Sequence, residues 1–123
     1  MVLQESEPLA RYLYQKSHYN ASASKVKHHA FMPPKDMRLS VFRTQGLAEE
    51  EVWALGDTLR AESPIARGVI VVQSVLECGL KVDSDDHPPR HASVIGWPDD
   101  RASILEKAVS LSRAAELRLR QNQ

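Results

Sequence analysis

Two proline pairs fix where this chain cannot be helical. Pro33-Pro34 in FMPPKD and Pro88-Pro89 in DDHPPRHASVIGWP each force an extended or turning path, because proline has no N–H and restricts the residue before it. Each pair leads into an alternating segment. RLSVFRT, residues 38–44, puts Leu39, Val41 and Arg43 on one face and Ser40 and Phe42 on the other, as a strand does. HASVIGW, from His91 to Trp97, reads as the last strand, with Arg90-His91 at its entrance.

Between and around these points the periods change. SEPLARYLYQ, residues 6–15, predicts a short helix: Ser6 can cap it, Pro8 suits its first turn, and Leu9, Tyr12 and Leu13 share a face. Residues 17–29, SHYNASASKVKHH, have no sustained period and read as a long loop or arm. LAEEEVWALGDTLRAES predicts a helix with Ala48, Val52, Leu55 and Leu59 as its stripe and Glu49, Glu50 and Glu51 favourably in its first turn. Ala48 is a weak start, since Ser or Thr there would complete a capping box with Glu51.

GVIVV, residues 68–72, reads as a buried strand passing into a short helix stopped by Gly79, although a continuous strand to Leu76 fits the same run. LKV is a brief strand and DSDDHPPR an acidic loop. Asp99 can cap a final helix over residues 100–120, with Ile104, Ala108, Leu111 and Ala115 as its stripe. The expected fold is α/β in one domain of 123 residues. It comprises a small mixed sheet of about four strands in a single layer pair, two main helices and a shorter N-terminal helix. Residues 1–37 form the basic helix and arm, and residues 38–120 the core.

Composition narrows the function classes. No apolar run approaches a bilayer span, the N-terminus lacks a basic region followed by an apolar one, and Cys78 has no partner for an internal disulfide. These point to a cytoplasmic protein without a membrane partner. The net charge of zero conceals two opposed halves. Residues 9–43 carry seven Lys and Arg against Asp36 alone, a balance of +6, whereas residues 44–86 carry nine acids against Arg60, Arg67 and Lys81, a balance of −6. The halves either pair with each other or present the basic segment to an anionic partner.

The blocks ARYLYQKSHY, VKHHAFMPP, LSVFRTQGL, VWALG, CGLKV and PPRHASVIGWP follow one another across roughly residues 9–98. In this order the chain resembles a group of short, uncharacterised bacterial proteins, and the last block is the most specific part of the likeness. The resemblance implies no activity. At His28-His29 and Ala48 the chain departs from the group's pattern, which speaks against a scheme using His28 or His29 as catalyst.

No cofactor is expected, since P-loop, GxGxxG and GxSxG patterns are lacking. No metal site is expected either: adjacent His28 and His29 diverge, and Pro88-Pro89 forbid the helix that would join His87 and His91. Cys78, in an apolar segment, reads as core. The leading expectation is a binding protein docking nucleic acid or another phosphate-bearing partner. Lys25, Lys27, Arg38, Arg43 and Arg90 would contact phosphate, with Tyr19 and Trp97 as stacking surfaces. A protein–protein adaptor or subunit steered by the two charges is the second reading. The third is a small phosphodiesterase or nuclease-like enzyme with His91 as acid/base and Arg90 and Arg43 on the phosphate. Beside these stands a structural reading in which Arg43 pairs with an acid from residues 49–51 or 83–86, His91 is a satisfied sheet histidine, and both tryptophans pack.

Overall fold

Side chains that alternate across a strand must have both faces covered if both are apolar, and that requirement places the N-terminal segment. In the computed structural model, which describes residues 3–121, Pro8–Leu13 is strand β1. A single 3-10 turn, Lys16–His18, leads to the two-residue strands β2 (Tyr19–Asn20) and β3 (Lys25–Val26), and a second 3-10 turn covers His28–Phe31. The chain continues through β4 (Leu39–Arg43), α1 (Glu49–Asp57), β5 (Ala66–Val71), α2 (Val72–Glu77), β6 (Lys81–Asp83), β7 (His91–Ile95), α3 (Arg101–Ala114) and β8 (Glu116–Leu119). Six strands make one sheet in the order β6-β7-β4-β1-β5-β8, and β2 and β3 form a separate hairpin.

The α/β class holds, but several details of the expected fold are corrected. The sheet has six strands rather than four, and its five pairings are antiparallel rather than mixed. The expected N-terminal helix is instead β1, near the middle of the sheet. Leu9 and Leu13 do share a face, as a helix would require, but Ala10 and Tyr12 are buried in a second cluster on the other side. Six residue pairs with β5, from Pro8↔Val71 to Leu13↔Ala66, outweigh the local helical pattern. The final helix stops at Ala114 because Ala115 turns extended, and β8 then pairs with β5. Its cap is Asp100, not Asp99: the Asp100 carboxylate accepts from the Ser103 N–H at 2.9 Å.

The segment expected as a loose arm is folded against the sheet. Val26 is buried, and Gly68 on β5 gives it room: a Cβ there would stand 3.2 Å from the Val26 methyl and 3.3 Å from the Phe31 ring. Phe31, itself fully buried, joins Leu9, Leu39, Val41, Ile70 and Leu111 in the larger core under α2 and α3. α1 covers the opposite face, with Val52 and Trp53 on Ala10, Tyr12 and Phe42. The Glu51 carboxylate accepts from the Ala48 N–H at 2.8 Å, so the acidic half of a capping box forms where Ala48 cannot supply the other. Among the described residues no helix is long and apolar enough to cross a membrane.

Two arginines clamp α1 around Trp53. Arg67, buried on β5, forks onto Glu49 at 2.8 and 3.0 Å, and Glu49 also accepts from the indole N–H at 2.9 Å. Arg120 forks onto Asp57 at 2.6 and 2.9 Å, and both guanidinium groups lie over the Trp53 ring. The Arg120 fork holds the Asp57 carboxyl down at about 2. A depressed carboxyl stabilises the fold above its ordinary value of 3.8, and that contribution is lost as the pH falls toward about 2. Asp57→Asn is therefore expected to flatten the fall in stability over that interval, read from urea midpoints at stepped pH. Close packing under α1 gives a second expectation. A Cβ on Gly56 would lie 2.7 Å from the Tyr12 ring and 2.8 Å from Pro64, and the Tyr12 hydroxyl is held by the Val52 carbonyl. Gly56→Ala should cost about 1–3 kcal/mol in urea unfolding.

Candidate functional site

The register between β4 and β7 decides which polar side chains can meet. Phe42 stands opposite His91 and Ser40 opposite Ser93, so Ser40, Phe42 and His91 project from one face. Arg43, one residue on, projects from the other. The strands are neighbours, but the period of two separates His91 from Arg43. The three-residue cluster expected of a phosphodiesterase therefore does not assemble as one site.

Arg43 turns toward Glu7, donating to its carboxylate at 2.5 and 3.3 Å, with Ser84 Oγ at 3.0 Å and Asp86 at 3.9 Å. Both partners are largely buried, with side chains 11% and 5% exposed. The paired acid is thus chiefly Glu7, which the helical reading of residues 6–15 left outside the candidates, with Asp86 from the acidic loop beside it. Arg90 adopts a left-handed backbone, φ +72°, and donates from Nη1 to the carbonyls of Arg43 and Gln45 at 3.1 Å each. Arg43 and Arg90 share a hollow of about 660 Å³ with Gln4, Glu7 and Asp86, so acids stand inside it. Arg38 is taken by Asp83 at 2.6 Å, with Asp85 at 4.0 Å.

His91 has a different set of partners. Its Nδ1 lies 2.7 Å from Asp85 Oδ1 and its Nε2 lies 3.1 Å from Ser40 Oγ. An ionised carboxylate can only accept, so Nδ1 carries the proton and Nε2 is free to accept from the Ser40 hydroxyl. His91, together with the His87 N–H, holds the Asp85 carboxyl below the usual carboxylate range. The Phe42 ring and the imidazole meet edge to face with centroids 5.3 Å apart, which restrains the imidazole plane. Ser40 is exposed and His91 is half-buried. No family model, curated protein or solved structure matches this chain.

A hollow of about 350 Å³ opens beside Ser40 and His91, where β1 and β4 part. The two strands pair only at Leu9↔Arg43 and Ala10↔Phe42. Beyond them the Arg11 side chain fills the gap, donating from Nε to the Ala30 carbonyl at 2.8 Å and from Nη1 to the Ser40 carbonyl at 3.0 Å. Burial lowers the Arg11 pKa from its ordinary value. Arg60, exposed, lies over the Tyr14 ring at 4.1 Å and lines the same hollow.

The remaining candidates divide cleanly. Trp97 is buried, and its indole N–H donates to the Val94 carbonyl at 2.9 Å, so it offers no open stacking face. Tyr19 is half-buried against the core. Lys25 and Lys27 are exposed on β3 and just beyond it. Burial pushes the Cys78 thiol up, away from the thiolate form. The His28 and His29 rings do not diverge as expected but lie 4.2 Å apart, tilted by 31°, and among the described residues no group of three His, Cys, Asp or Glu is placed to hold a metal ion. Ser40 and Asp85 were not candidates from sequence, because their relation to His91 is made by strand pairing and a loop, 51 and six residues away. The one available signal was a serine between the apolar Leu39 and Val41 of a strand.

Glu7→Ala removes the closest carboxylate from the largely buried Arg43 guanidinium and is expected to cost about 3 kcal/mol or more in urea unfolding. Glu62→Ala, which removes an exposed partner of Arg60, should cost under about 1 kcal/mol in the same measurement.

Proposed function

We propose that this protein binds nucleic acid through a folded basic lobe, residues 15–31, rather than through the strand arginines. The observation that carries the reading is local charge. From Gln15 to Lys35 the chain has no Asp or Glu, and its Lys16, Lys25, Lys27 and Lys35 make no ion pair among the described residues. Most surface cations near an acid find one; these have none in their own segment.

The fold of the lobe adds direction to the charge. Val26 points inward, so Lys25 and Lys27, on either side of it, point outward together. Asn20 stands opposite Lys25, and the Lys27 N–H donates to the His18 carbonyl at 2.9 Å, which sets Lys27 beside the turn that begins at Lys16. The lysines sit on a hairpin anchored by Val26 and Phe31, so little ordering is needed when phosphate arrives. Lysine contacts to phosphate carry no sequence information, and buried Trp97 supplies no open face for a base, so binding should depend on salt and little on sequence.

Three lysines on phosphate predict that log K falls with log salt at a slope of about −2 to −3, measured by fluorescence anisotropy with labelled single- and double-stranded oligonucleotides. Lys25→Glu with Lys27→Glu should weaken binding at least tenfold at low salt and shrink the slope by about two. Lys35→Glu, outside the hairpin, serves as the control for net charge. Absence of binding across DNA and RNA probes at about 50 mM salt, or equal losses in the control, would reject the reading.

A further inference from the structure

We propose that Ser40, His91 and Asp85 form a nucleophilic site that hydrolyses small carboxylic esters bearing a negative group. This site shares no residue with the basic lobe, and its test is independent of nucleic-acid binding. The juxtaposition has the three relations that serine acyl transfer requires. A hydroxyl lies within reach of one ring nitrogen at 3.1 Å, a carboxylate holds the other at 2.7 Å, and the hydroxyl is exposed where a substrate can approach it. Asp85 fixes the tautomer with Nδ1 protonated, and its negative charge favours the imidazolium that forms when Nε2 takes a proton. Phe42 on one side of the ring keeps the imidazole from turning away.

The hollow beside Ser40 specifies the substrate. At about 350 Å³ it suits a small molecule, and Tyr14, Phe42 and Leu59 give it an apolar wall. Its charged lining residues are Arg11 and Arg60, with no acid among them. Arg11, bonded to the Ser40 backbone carbonyl and lining the same hollow, adds a positive charge that favours the oxyanion of a tetrahedral intermediate. Arg60, exposed over Tyr14, can exchange its solvent-exposed partner Glu62, at 3.5 Å, for a carboxylate on the substrate.

The step balances with water as the second reactant. Ser40 Oγ bonds to the ester carbonyl carbon as its proton passes to His91 Nε2. The carbon–oxygen bond to the leaving group breaks, and that oxygen takes the proton from Nε2. Water then attacks the acyl-serine, gives a proton to Nε2, and releases the acid as Ser40 Oγ recovers its proton. The products are one carboxylic acid and one alcohol.

The experiment has two arms on the full chain. In the first, a fluorophosphonate probe is incubated with the protein and the adduct located by mass spectrometry. One phosphonyl group on Ser40 is expected, absent from Ser40→Ala and strongly slowed in His91→Gln. Asp85→Asn, at a partly exposed carboxylate in a loop, keeps the test valid if the histidine variant unfolds, and circular dichroism checks each fold. In the second arm, the para-nitrophenyl monoester of glutarate is compared with para-nitrophenyl acetate. Turnover of the anionic ester should be preferred at least tenfold. Arg60→Ala should erase the preference by lowering turnover of the anionic ester, and Asp85→Asn should lower turnover of both esters by about three to four orders of magnitude. No adduct on Ser40, or ester turnover that Ser40→Ala leaves unchanged, overturns the catalytic site. Equal turnover of both esters overturns the substrate assignment.

Discussion

The unequal pairing of β1 with its two neighbours is the constraint from which the rest of the structure follows. On one side β1 runs against β5 along its whole length, and on the other it meets β4 at two positions only. A ladder that opens leaves backbone carbonyls without partners, and a buried one costs free energy. Arg11 meets that demand, bridging the Ser40 and Ala30 carbonyls across the gap. One side chain therefore closes the sheet, ties the turn before Phe31 to it, and leaves a charged hollow beside the exposed serine. Had β1 and β4 stayed paired, the gap that admits Arg11 and opens the hollow would have closed.

Arginine and lysine divide the positive charge of this chain by chemistry. Arg11, Arg43, Arg67, Arg90 and Arg120 all make specific contacts with carboxylates or backbone carbonyls inside the fold. The planar fork suits such geometry, because several fixed donors offset the desolvation of a delocalised charge. The lysines of the hairpin stay in solvent, where a compact, strongly hydrated ammonium is least costly. The basic half of the sequence is thus two populations. Its arginines organise the sheet, and its lysines remain as surface charge.

The parts of the fold that could be read from sequence are those where one pattern had no rival. β4, α1 and β7 have clear periods with a glycine at or near their ends, and Gly79 and Gly96 do close α2 and β7 with φ of +80° and +87°. β1 misled because PLARYL satisfies both periods: Leu9, Tyr12 and Leu13 fit a helix face, and only the burial of Ala10 and Tyr12 on a second face selects a strand. β8 was hidden as a continuation of α3, since its short ELRL run gains its reason from the β5 edge it covers. The candidate site was half legible for the same cause. His91 stood out by its neighbours in the chain, whereas Ser40 acquires its meaning from register, a property of two strands that neither contains.

The loop between β6 and β7 shows how a strand entrance becomes a chemical arrangement. β6 pairs with β7 as far as Asp83↔Ser93, which sets the next residues level with His91. The chain then reverses through Pro88-Pro89, with Asp86 and Arg90 in left-handed backbone at φ +55° and +72°. Non-glycine residues hold such angles only where surrounding contacts determine them. Here the Asp86 N–H donates to the His91 carbonyl at 3.1 Å, the His91 N–H to the Pro88 carbonyl at 2.9 Å, and the Arg90 guanidinium to Arg43 and Gln45. These bonds keep the loop folded back on its own strand, so Asp85 meets His91 Nδ1 rather than solvent. Arg90 and His91, adjacent in the chain, thereby act through different faces: Arg90 locks the loop to β4, and the locked loop orients the imidazole toward Ser40.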